Sequence, residues 1–105
     1  MRVLLDACVP QDLRHALTGH DVVTARYAGL AQLSNGKLLA EIAGKFEVLV
    51  TTDKNLRHQQ HILGMPLAVI VLYAVGIRLP DLLPLVPRLL KVLKNVKPGE
   101  VVEVV

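Results

Sequence analysis

Two stretches of this chain, VLVT at 48–51 and LAVIVL at 67–72, are apolar or β-branched without a break. Successive side chains on a strand point to opposite faces of a sheet, so an unbroken run of this kind is a strand covered on both sides. Strands of that type belong to mainly parallel sheets, whose crossover connections lay helices on the faces. The two runs therefore select an α/β domain in which the sheet is sandwiched between helical layers.

The rest of the chain keeps that rhythm. Short β-rich runs at Arg2 to Leu5, Asp21 to Thr24, Glu47 to Thr51, Leu67 to Leu72 and Glu100 to Val104 alternate with segments of helical period. Pro10 to Leu17 opens on a proline at a first-turn position and sets Leu13, Ala16 and Leu17 on one face. Ser34 or Asn35 caps a second helix reaching Gly44, with Leu38, Leu39 and Ile42 turned inward. A last helix falls within Leu79 to Val96, where Pro80, Pro84 and Pro87 predict a broken or late start, continuous from about Pro87. No repeat or linker interrupts these segments. The 105 residues, 52% of them hydrophobic, are expected to build one core and one domain, 1–105.

Several function classes fall away on composition. A single cysteine, Cys8, cannot close an internal disulfide and no Cys/His cluster has zinc spacing, which suits a reducing compartment and makes the cytoplasm the expected location. The N-terminal MRVLLDACVP reads as a strand rather than a signal peptide. The longest apolar run, MPLAVIVLYAVGI at 65–77, is interrupted by Pro66 and Gly76 and falls short of the ~20 residues of a membrane helix, so no membrane partner is expected. A net charge of +3 permits an anionic partner such as nucleic acid. Three aromatics, Tyr27, Phe46 and Tyr73, are too few for a base-stacking platform.

In open parallel sheets chemistry collects outside the carboxyl ends of the strands, at the point where connections leave in opposite directions. Asp6 follows the first strand and Asp53 the third. With strand order 2-1-3-4-5 these strands are neighbours and the two carboxylates face each other. Such a pair either shares a proton or holds a divalent cation. A hard cation such as Mg²⁺ takes one or two carboxylates plus waters and phosphate oxygens, a setting suited to phosphodiester hydrolysis. The plainer alternative is that each aspartate caps the segment after it.

The combination LLDACVP, HDVVTARYAGLAQLSNGKLL and VLVTTDKNL resembles the short PIN-like domains related to toxin ribonucleases of prokaryotic toxin–antitoxin systems. The resemblance covers the first two thirds of the chain. It implies a three-layer α/β/α PIN-like fold with a mainly parallel five-stranded sheet of order 2-1-3-4-5. It also implies a Mg²⁺- or Mn²⁺-dependent endoribonuclease, RNA as substrate and an antitoxin protein as partner. On that resemblance Asp6 and Asp53 match the family's catalytic, metal-binding acids. Four positions depart from it: Ala7 and Cys8 stand where Glu-Asn is usual, and Asn35 and Asn55 each stand where an aspartate is usual. An asparagine carbonyl can touch a metal but brings no charge, so Asn35 and Asn55 are weak metal ligands. This opens a second reading, a catalytically weakened module that binds RNA or a protein partner.

Lys54, Arg57 and His58 follow Asp53 and are candidates for phosphate or RNA binding, with His61 close behind; RHQQH has no tetrahedral metal pattern of its own. Glu41 is read as a solvated helix residue, Cys8 as a small buried one, and Arg88, Lys91 and Lys94 as the wet side of the last helix. A receiver-type phosphoacceptor shares the strand order, yet it wants paired acids after strand one, where Ala7 follows Asp6. The segment GEVVEVV carries valine on both faces of its strand with little charge, an edge that invites pairing, so a homodimer is expected.

Overall fold

The structure, a computed structural model, describes residues 1–105 with the exception of Gln59, and the side chains of all of these except residues 57, 58, 60 and 61. Among the described residues five strands form one all-parallel sheet: β1 (Arg2–Leu5), β2 (Asp21–Thr24), β3 (Val48–Thr51), β4 (Ala68–Leu72) and β5 (Val101–Val104). Their order is 2-1-3-4-5, as the sequence leads one to expect. Helices α1 (Asn35–Ile42), α2 (Leu79–Leu82) and α3 (Val86–Asn95) join 3-10 segments at Gln11–Ala16, Lys54–His58, Gln60–Gly64 and Leu83–Leu85. No helix among the described residues is long and apolar enough to cross a membrane.

The pleat divides the apolar runs between two cores. Val3, Val48 and Ala68 lie in register, as do Leu5, Val50 and Ile70, and all six enter the core that holds Leu13, Leu17, Leu89 and Leu93. The intervening Leu4, Leu49 and Val69 point the other way, into the core of Leu38, Leu39 and Ile42 of α1 with Leu56 and Ile62. The unbroken runs are therefore apolar because both of their faces are covered.

The helices take sides in an unusual way. The connections β2→β3 and β3→β4 step along the sheet in the direction opposite to β1→β2 and pack on the opposite face, so these three share one hand. The connection β4→β5 steps the same way as β3→β4, yet its helices α2 and α3 pack on the face of Leu13 and Leu17. Its hand is thus opposite to the others, where right-handed crossovers hold in about 98% of cases. Burial supplies the reason. The β1→β2 connection carries only a six-residue 3-10 segment, and by itself it would leave Val48, Val50, Ile70 and Leu72 in water, forgoing about 1.5–3 kcal/mol apiece. Burying Leu89 and Leu93 of α3 over these strands adds a similar amount each.

Boundaries differ from expectation where caps decide. Strands three, four and five each start one residue later than read, at Val48, Ala68 and Val101. The first helical segment is a 3-10 turn, too short to accumulate α-type hydrogen bonds after Pro10. Helix α1 ends at Ile42 rather than Gly44, and Gly44, at φ +85°, makes the left-handed turn beyond it. Ser34 occupies the N-cap position but makes no side-chain capping bond. The proline-rich tail breaks as expected, and α3 starts at Val86 with Pro87 in its first turn, where a missing N–H costs nothing.

Candidate functional site

Asp6 leaves the sheet one residue after β1 but stays pinned to β3, its backbone N–H donating to the Val50 carbonyl at 2.9 Å. One carboxylate oxygen accepts the Ala7 N–H at 2.8 Å; the other accepts the Thr51 hydroxyl at 2.7 Å. Thr51 is the last residue of β3 and fully buried. Its Oγ1 also accepts the Asp53 N–H at 3.0 Å. One hydroxyl therefore ties the Asp6 carboxylate to the backbone of Asp53. Adjacency of β1 and β3 produces this, because residues 45 apart in sequence meet only through the sheet.

Asp53 is held from two sides. Oδ1 accepts the Asn55 N–H at 3.0 Å, a capping bond at the start of the 3-10 segment Lys54–His58. Oδ2 accepts the Asn35 side-chain N–H at 2.9 Å from the first turn of α1. The capping reading of Asp53 thus holds, and its second oxygen faces Asn35. The Cys8 sulfur lies 3.4 Å from Thr51 Oγ1 and 3.6 Å from Asp6 Oδ2. Since the Thr51 proton is committed to Asp6, the thiol is the donor in this triangle.

Among the residues expected to form the site, Asp6, Asp53 and Asn35 converge. Asn55 reaches it through its backbone, its side chain being exposed. Lys54 stands apart, its ammonium 5.0 Å from the centre of the Tyr73 ring on the β4 side. The side chains of Arg57, His58 and His61 lie outside the described residues. Glu41 pairs with Lys45 at 2.9 Å on the exposed face of α1 and takes no part.

Thr51, Arg26 and Arg78 were not singled out from the sequence. A cleft of about 420 Å³ opens beside Asp6, bounded by Cys8, Gln11 and Thr24 and carrying both arginines on its rim. It exists because α2 crosses to the face of the first 3-10 segment, bringing Ile77–Leu79 over the end of β1. Thr51, Arg26 and Ile77–Leu79 all stand at or just past carboxyl ends of strands, and that position was the signal available in the sequence.

The two carboxylates are hard oxygen donors, and their number suits one hydrated Mg²⁺ or Mn²⁺ rather than a pair of ions. Such a cation would displace the Asn35 N–H from Asp53, or meet the amide oxygen after a flip of that side chain. Among the described residues no group of three or more His, Cys, Asp and Glu is arranged to hold a metal. Comparisons of the chain with known protein families, with curated proteins and with solved structures return no match.

Proposed function

We propose that this domain is a PIN-like ribonuclease dependent on Mg²⁺ or Mn²⁺, with Asp6 and Asp53 as its acids. What supports the reading is the Thr51 hydroxyl, which holds the Asp6 carboxylate and the Asp53 backbone at one end of adjacent parallel strands. Asp6 and Asp53 would hold the cation, which supplies Lewis acidity toward a phosphodiester. Thr51 and the Ala7 N–H orient Asp6; the Asn55 N–H orients Asp53. Arg26 and Arg78, on the rim of the cleft, offer guanidinium groups to phosphate oxygens on either side of the bond being cut. The same resemblance makes an antitoxin protein the expected partner.

A second reading rests on the Asn35–Asp53 hydrogen bond. A neutral donor already satisfies the oxygen that a metal would need, as in a weakened module that binds RNA without cutting it. A receiver-type phosphoacceptor is disfavoured, because a doubly wound domain with uniformly right-handed crossovers would place α2 and α3 on the α1 face.

Labelled single-stranded RNA incubated with Mn²⁺ and the wild type, Asp6→Asn or Asp53→Asn decides among these. Cleavage by the wild type, lost in both folded variants, supports the nuclease. RNA retention without cleavage by any form supports the second reading. Neither retention nor cleavage overturns both.

A further inference from the structure

The strand order leaves β5 on the outside, one edge bonded to β4 and the other open among the described residues. Glu100 and Val104 turn their carbonyls toward β4, accepting the amides of Val69 and Tyr73 at 2.9 and 2.8 Å. Backbone groups alternate sides along a strand, so Val101 and Glu103 present their N–H and C=O groups outward. Beside this open edge a groove of about 670 Å³ runs between β5 and α3, floored by Val92, Val96, Val102 and Val104. Glu100 stands at one end, its carboxylate accepting the Lys97 N–H at 2.6 Å, and Arg88 at the other, where its guanidinium donates to the Val105 carbonyl; Lys91 and Glu103 also line the groove.

We infer that a second copy of this chain docks here, its β5 antiparallel to the first across a twofold axis. The inference does not depend on ribonuclease activity. A closed pair uses the same patch on both subunits and therefore needs a surface complementary to itself. A twofold axis reverses strand direction, so the Glu100 end of each copy meets the Arg88 end of the other. Both charges lie on the same face: Val102 pairs with Ile70 and Val104 with Leu72 under α3, and Glu100 shares their parity.

The outward groups fix the register. Setting Glu103 opposite its twin would place like carboxylates side by side, which destabilises a sheet. A shift of two residues pairs Glu103 with Val101, puts Val102 opposite Val102 on the axis, and brings Glu100 opposite Val104, next to Arg88. The valine floors of the two grooves then adjoin, and the open backbone groups of Val101 and Glu103 find partners.

Light scattering on the wild type is expected to give twice 11.5 kDa at about 100 µM, falling toward 11.5 kDa on dilution. In a Cys8→Ser background, Val102→Cys crosslinks under mild oxidation, because residues in a non-hydrogen-bonded antiparallel pair sit about 4.5 Å apart at Cα. Glu103→Cys in the same background stays uncrosslinked. Arg88→Glu, at an exposed position, weakens the dimer about 10-fold or more, and Arg88→Glu with Glu100→Arg restores it. A monomer at every concentration overturns the inference. So does crosslinking through Glu103→Cys in preference to Val102→Cys, or a charge reversal that fails to restore pairing.

Discussion

Replacing Thr51 with valine removes one oxygen from a buried position and keeps the volume, which isolates what the hydroxyl contributes. That oxygen donates to the Asp6 carboxylate at 2.7 Å and accepts the Asp53 N–H at 3.0 Å. A hydrogen bond to a charged group contributes about 1.5–3 kcal/mol, and a donor left without a partner away from water costs about 1–3 kcal/mol. The added methyl returns about 0.8 kcal/mol of apolar burial. The net expectation is a loss of about 2–5 kcal/mol, a fall in Tm of roughly 10–25 °C for a domain of this size. Urea denaturation of wild type, Thr51→Val and Thr51→Ser measures it. Thr51→Ser keeps both hydrogen bonds and gives up only a methyl, so it is expected to lose about 1 kcal/mol. In a double-mutant cycle with Asp6→Ala, Thr51→Val should show a coupling of at least about 1 kcal/mol. Thr51→Val as stable as Thr51→Ser, or no coupling to Asp6, would refute the claim that this hydroxyl holds the acids together.

Two further substitutions probe the site and the frame around it. Asn35→Asp deletes the donor to Asp53 and sets two carboxylates face to face, so the variant should lose about 1–2 kcal/mol without divalent cations. Mn²⁺ at about 100 times its Kd should return about 2.7 kcal/mol; melting curves with and without Mn²⁺ check this, and an unchanged Tm would show that position 35 does not face the cation. Gly99 sits at φ +87°, where a Cβ would lie only 2.7 Å from the Leu63 carbonyl oxygen, whereas Gly36 has open space around it. A left-handed residue with a Cβ costs about 1–2 kcal/mol before any clash, so Gly99→Ala should destabilise by at least about 2 kcal/mol in urea. Gly36→Ala, within α1, should instead gain about 0.5 kcal/mol.

Much of the architecture was written locally. Unbroken apolar runs imply strands covered on both faces, and VLVT and LAVIVL became the central β3 and β4. Leu38, Leu39 and Ile42 announced the buried face of α1, and three prolines announced the break before α3. Acids just past the first and third strands pointed to the carboxyl edge, and Asp6 and Asp53 are joined there through Thr51.

Other features were settled by contacts between distant segments. Periodicity reports which residues of an element are buried, but not against which face of a sheet, so the reversed hand of the β4→β5 connection left no trace in the sequence of α3. That hand follows from an uncovered apolar surface elsewhere, and it also creates the cleft that carries Arg26 and Arg78. Thr51 looked like an ordinary strand residue because its partners, Asp6 and the Asp53 amide, become neighbours only once β1 and β3 pair. Asn35 stood at a helix start in the sequence, and only the fold turned its amide toward a carboxylate 18 positions away. Residue type and spacing specified the elements and the reactive groups; long-range register and the demand to bury both faces of one sheet decided which groups meet.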